Sequence, residues 1–202
     1  VFLVIPLSIL CLVLLFWVKF FHKQSITTLT TSRPKIDWSR IFFSFGIWSF
    51  FIIATTLITY FTEPDRYLLI FDPIKFSIFF ILACILLPLQ TSFEEYFFRG
   101  YLMQGIGLAV SNKWFPLLFT SVLFGLVHIA NPEVGQMGMI MMFYYIGTGL
   151  LLGIITLMDE GLEVALGFHA ANNLVGALLV TSDWSALQTN AIFKDVSTTI
   201  SV

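Results

Sequence analysis

An all-α fold, a polytopic transmembrane helical bundle, is what the sequence predicts, and three observations predict it. Of 202 residues, 58% are hydrophobic and only 11% are charged, against roughly 25% charged in soluble domains. The mean hydropathy is +0.93. The apolar residues also gather into runs close to the ~20 residues that cross a bilayer as a helix. A chain so poor in charge cannot coat a water-facing surface, so the solvent for most of it is lipid. Its net charge is −2 and it carries no basic stripe, which excludes a nucleic-acid partner. The Phe- and Ile-rich composition suits a multi-pass protein of a bacterial cell membrane.

The first apolar run covers residues 1–18. It has no charged leader and no small-residue cleavage site, and its positive residues follow it, so it reads as a spanning helix rather than a signal peptide. The chain opens on Val1, which points to a fragment or a processed protein. Residues 41–61 form the second run. The third begins near Phe76, crosses Pro88 and continues into Phe93, and the segment 94–110 after it still reads as helical despite Glu94, Glu95 and Arg99. From 76 to 110 is too long for one straight crossing at about 1.5 Å per residue. Either the helix projects beyond the bilayer, or it breaks and residues 100–107 form a short second piece. Runs over 114–130, 137–158 and 164–182 bring the total to six to seven membrane helices.

Lys and Arg set the expected orientation. The loop 19–40 carries Lys19, Lys23, Arg33, Lys35 and Arg40 against Asp37, so it is placed in the cytoplasm. The 62–75 loop, with Glu63, Asp65 and Asp72, then faces outward. Arg99 and Lys113 flank the next inward turn; 131–136 lies outside, 159–163 inside, and the polar tail from Asp183 outside. A re-entrant 94–110 piece would invert everything after it. Cys11 and Cys84 have no CxxC or CxxH neighbour and read as small hydrophobes. Gly149 and Gly153 share a helix face at i,i+4, and close packing within the chain is the favoured reading over a dimer face.

Ionisable residues inside a bilayer are costly, about 2.5–3.5 kcal/mol each on insertion scales, and default to functional hypotheses. Here they are Glu94, Glu95, Arg99, His128 and His169, joined by the amide of Asn173. On a helix, Glu95 and Arg99 are i,i+4 and can pair. Glu94 points about 100° away and keeps no local counter-charge, which leaves a free carboxylate suited to general-base work. A salt-bridged turn at headgroup level explains the same residues equally well. Phe124 and His128 share a second helical face, with Gly125 permitting close backbone approach; taken alone, His128 is as well explained as an interhelical hydrogen-bond partner. His169 and Asn173 share a third face and aim an imidazole and an amide at one spot, suited to an oxyanion or a water, or to a polar packing seam.

Glu94-Glu95-xxx-Arg99, then Phe124-xxx-His128, then His169-xxx-Asn173 resembles the CAAX prenyl protease and bacteriocin-processing family of Abi-type intramembrane proteases. The resemblance divides the chain into N-terminal transmembrane helices with a cytoplasmic basic loop (1–75), a protease-like core (76–181) and a polar tail (182–202). It implies hydrolysis of a peptide bond in a membrane-associated or prenylated substrate. By the same resemblance Glu94 activates water, helped by His128; His169 and Asn173 stabilise the oxyanion; Glu95, Arg99 and Phe124 support them. Glu94, His128 and His169 would suffice for a catalytic zinc, but no His-Glu-xx-His is present, and a metal-independent, glutamate-activated water is favoured. The competing readings are a non-catalytic membrane protein, such as a scaffold or bacteriocin-immunity factor, and a transporter with Glu94 and the histidines as proton relay. The transporter lacks the expected internal repeat and paired broken helices.

Overall fold

The computed structural model describes residues 4–112 and 114–197. Lys113, expected beside an inward turn, and the last five residues of the expected tail lie outside them. Among the described residues, six helices of 13 residues or more carry the fold: α1 (Val4–Phe20), α3 (Trp38–Thr62), α4 (Pro73–Glu95), α6 (Trp114–Leu126), α8 (Ile140–Asp159) and α9 (Glu163–Leu179). Short helices α2 (Ile26–Thr30), α5 (Met103–Ala109) and α7 (Pro132–Met137) decorate their connections. Local sequence explains several starts. Asp72 caps α4, its carboxylate accepting from the Ile74 and Lys75 amides, and Pro73 occupies the first turn, where no N–H is needed. Asp37 caps α3 by accepting from the Ser39 hydroxyl and amide, which hold its carboxyl below the usual range. The last residue after α8, Glu160, takes a left-handed φ of 53° before Gly161 and reverses the chain.

The long third run is not broken. From Pro73 to Ala109 the chain is one apolar helical run of 37 residues, about 55 Å at the α-helical rise and longer than the ~30 Å hydrocarbon layer. Its later part, Tyr96–Leu102, is π-helical, a local widening that often marks functional sites.

The helices run up and down between two ends. At one end the α1–α3 connection meets the α5 and α8–α9 connections. Gln104 donates to the Leu29 carbonyl at 3.1 Å, and the Leu162 amide donates to Thr30 at 2.7 Å. Arg33 pairs with Asp159 at 3.2 Å and approaches Glu163 at 3.5 Å, while Arg40 also pairs with Asp159. At the other end a small sheet ties the 62–75 loop to the tail. In it β3 (Phe193–Asp195) lies between β1 (Tyr67–Leu69), antiparallel, and β2 (Val180–Thr181), parallel. Glu133 of α7 accepts from the Ala186 amide there at 2.7 Å. Loops that the charge pattern assigns to one side of the membrane therefore meet at one end of the bundle.

Three elements depart from the expected boundaries. The run 114–130 is helical only to Leu126, about 20 Å long. Pro132 holds Asn131 extended, at φ −66° and ψ 140°, and the chain turns before it, so His128 lies in a turn and not within an apolar helix. The 131–136 loop is largely the short helix α7. The helix expected to reach 182 stops at Leu179, because Val180 and Thr181 pair with β3.

By length and composition α3, the 73–109 run and α8 can each cross a membrane, and α1 and α6 are shorter apolar helices. Large hydrophobics point outward, as on α3, where Phe42, Phe50 and Phe61 are exposed. That arrangement suits lipid. α4 sits centrally, against α1 on one side and α9 on another. One apolar cluster, with Val18, Leu29, Tyr96, Leu162 and Leu166, packs toward the basic end, and a second, with Val4, Phe79, Ala83, Leu87 and Leu174, toward the sheet end. Between the two, α4 and α9 face each other with a belt of polar side chains.

Candidate active site

Glu94 and Glu95 end α4, and Arg99 follows in the π-helical segment. The Glu95 carboxylate is fully buried and accepts from two donors on the same oxygen: Arg99 Nη1 at 3.0 Å and His169 Nδ1 at 2.7 Å. A carboxylate can only accept, so Nδ1 of His169 carries hydrogen. Its second oxygen, Oε2, is buried without a hydrogen-bond partner among the described residues. Arg99 also donates to the Gly149 carbonyl at 3.1 Å, and its guanidinium lies 4.5 Å over the Phe124 ring. The expected pairing of Glu95 with Arg99 is thus present and tied to α8 and α9 as well.

Glu94 makes other bonds. Gln90, one turn earlier on α4, donates to its Oε1. Its Oε2 lies 3.8 Å from His169 Nε2. That separation is too long for a hydrogen bond, so both atoms keep bonding capacity for a third partner. Asn173 donates to Gln90 Oε1 at 3.2 Å and accepts from Asn172 at 3.2 Å, and Asn172 in turn accepts from the Trp48 indole at 3.2 Å. The structure therefore sets two hydrogen-bonded groups side by side between α4 and α9, Glu94 with Gln90 and Asn173, and Glu95 with Arg99 and His169; they approach each other at Glu94 and His169.

His128 stands apart from those bonds. Its Nδ1 donates to the Phe124 carbonyl at 2.7 Å, since that oxygen can only accept, and its ring stacks on Tyr145 at 4.6 Å. Phe124 connects it to the rest, with ring centroids 4.8 Å from His128 and 6.2 Å from His169. Helical spacing accounts for the motif residues and the polar seam at Asn172, but Gln90, Trp48 and Tyr145 were missed. Gln90 carried a readable signal, a buried amide four residues before Glu94 on an apolar helix. Trp48 and Tyr145 carried none, since aromatic residues abound in this chain.

The conditional zinc set is not assembled. Among the described residues no group of three or more His, Cys, Asp or Glu side chains could hold a metal. Nδ1 of each histidine is committed, to Glu95 in one case and to a carbonyl in the other, which leaves each Nε2 open.

Fold and composition define a multi-pass integral membrane protein with ionisable side chains buried between two of its helices. The profile of the type II CAAX prenyl endopeptidases, Rce1-like, matches residues 73–175, the stretch that holds all three motifs. The chain belongs to this family of membrane proteases. It is also 36% identical, over 165 residues, to the uncharacterized protein YyaK of Bacillus subtilis (strain 168), an alignment covering 81% of this chain and 55% of that relative. The chain thus spans about half the length of the curated relative it matches. No solved structure matches it.

Proposed function

We propose that this chain is an intramembrane endopeptidase that hydrolyses a peptide bond of a membrane-associated or prenylated, CAAX-type substrate with water activated by Glu94. The observation that carries this reading is the division of labour between adjacent carboxylates. Glu95 is spent on Arg99 and His169, whereas Glu94 Oε2 faces His169 Nε2 with no hydrogen bond between them.

In this reading Glu94 takes a proton from water as the oxygen attacks the scissile carbonyl carbon. His169, as an imidazolium held by Glu95 through Nδ1, presents Nε2–H to the developing oxyanion. Asn173 adds the amide hydrogen that it does not give to Gln90. When the tetrahedral intermediate collapses, the carbon–nitrogen bond breaks and Glu94 returns its proton to the leaving amine. His128, whose Nε2 is left open by the Nδ1 bond to the Phe124 carbonyl, assists at the water. Arg99 fixes Glu95, and through it the imidazole plane.

The test is turnover of fluorogenic membrane peptides, prenylated and unprenylated, by the purified protein with and without chelator. Cleavage that survives the chelator and favours the prenylated peptides is expected. Absence of cleavage of every peptide would leave the scaffold reading standing.

A further inference from the structure

Gln90, Asn172 and Trp48 belong to none of the three motifs' assigned roles, yet they connect into the site in a defined order. The indole N–H of Trp48 donates to Asn172, Asn172 to Asn173, Asn173 to Gln90, and Gln90 to Glu94. Chemistry fixes the direction of this chain at both ends. An indole nitrogen can only donate and a carboxylate can only accept. The three amides between them must therefore all point the same way, nitrogen toward Glu94. Reversing any one would set two oxygens or two NH₂ groups against each other.

We propose that Trp48, Asn172, Asn173 and Gln90 form a one-way amide chain that positions Glu94, pinning Oε1 so that Oε2 alone is turned toward His169. The inference rests on the reading of Glu94 as the base and adds its positioning residues. The chain crosses three helices, α3, α9 and α4, and anchors its far end where Trp48 stacks on Phe168 at 4.2 Å. Hydrogen-bonded dipoles in series polarise one another, most strongly in a low dielectric, so a change at either end is felt at the other. Gln90 is buried, and the chain gives each of its amides a partner on both sides.

Two measurements test it on the full chain in micelles. In the first, tryptophan is labelled with ¹⁵N and the indole resonances are recorded. The chain has five tryptophans, and Trp48→Phe identifies the resonance of Trp48. Glu94→Gln is expected to move that resonance in the otherwise unaltered protein. It should leave it in place in a Gln90→Met background, where the chain is cut; Asn173→Leu cuts a different link and serves if Gln90→Met does not fold. An equal shift with the chain intact and cut, or no shift at all, overturns the proposal.

In the second, kcat is expected to fall on the order of tenfold to a hundredfold in Gln90→Met, the loss of one hydrogen bond to a charged group, with KM unchanged. Trp48→Phe keeps the ring stack but loses the donor, and should lower kcat less. The double variant should be no slower than Gln90→Met alone, because both act on one chain. Multiplying effects would overturn the chain. The resonance measurement needs no turnover. If it passes while the unaltered protein cleaves nothing, the chain stands and the endopeptidase reading falls; cleavage with an unmoved Trp48 resonance does the reverse.

Discussion

Glu94 and Glu95 are neighbours in sequence, yet their surroundings differ, and substitutions should separate them. Glu94→Gln keeps the volume and still bonds Gln90, but it cannot take a proton from water. Loss of a general base lowers rates by about 10²–10⁴-fold, so this variant should fold in membranes and lose hydrolysis of fluorogenic membrane peptides. Near wild-type turnover by it would end the glutamate-base mechanism. Asn173→Ala removes one oxyanion donor and should be milder, of the order of 10²–10³ in rate, with His169 compensating in part. Glu95→Gln acts differently. It strips the charge from the group that holds both Arg99, 1% exposed, and His169. Breaking a buried ion pair from one side destabilises by about 3–5 kcal/mol. The expected result is a large drop in thermal stability, read by an aggregation assay on detergent-solubilised protein. A Glu95→Gln variant with unchanged melting would show that the pair does not hold the helices together.

At the scale of elements, the α6–α8 contact sets where Arg99 can reach. A Cβ on Gly149 would sit 2.9 Å from the Ser121 carbonyl oxygen, and one on Gly153 would sit 2.5 Å from Leu117 Cδ1. These glycines let α8 lie directly on α6, the packing within the chain that their spacing suggests. Gly149 also offers the carbonyl that receives Arg99 Nη2. Gly149→Ala should therefore force the helices apart and cost about 1–3 kcal/mol, with loss of activity following from a displaced Arg99. Gly147, on the same helix, has nothing within 4 Å of where its Cβ would stand, so Gly147→Ala is the matched control and should change neither melting nor turnover. Equal effects of the two substitutions would count against the close packing.

For the whole molecule, the two ends of the bundle make the expected orientation testable. The end carrying Lys19, Lys23, Arg33, Lys35 and Arg40 is expected in the cytoplasm and the sheet end outside. In a Cys84→Ser background, with Cys11 buried, Lys23→Cys and Asp65→Cys place single thiols at exposed positions of opposite ends. A membrane-impermeant maleimide added to intact cells should label position 65 and spare position 23 until the membrane is opened. The opposite pattern would turn the whole bundle over, since the sheet and the ion pairs of Arg33 and Arg40 lock each set of loops to one end.

The solvent, the helical class, the order of the spans and the motif residues are all legible in the amino-acid order alone. Hydropathy reads directly as burial in lipid, and helical spacing places Glu95 with Arg99 and His169 with Asn173 on shared faces. What those faces meet is fixed by the packing of helices against one another. That Glu95 receives His169 as well as Arg99, and that Glu94 bonds Gln90, depends on how α4 and α9 are set against each other. His128 lies outside its expected helix because Pro132 constrains the residue before it and the chain turns earlier, a local effect that the apolar pattern of 114–130 masks. The small sheet was hidden for a related reason. Its three strands are two or three residues long, too short for any period to show, and they exist because segments distant in sequence are brought together at one end of the bundle. Periodicity within an element is local and legible; the partner across a helix interface is set by packing between segments as distant in sequence as Trp48 and Asn172, and no single stretch of sequence encodes it.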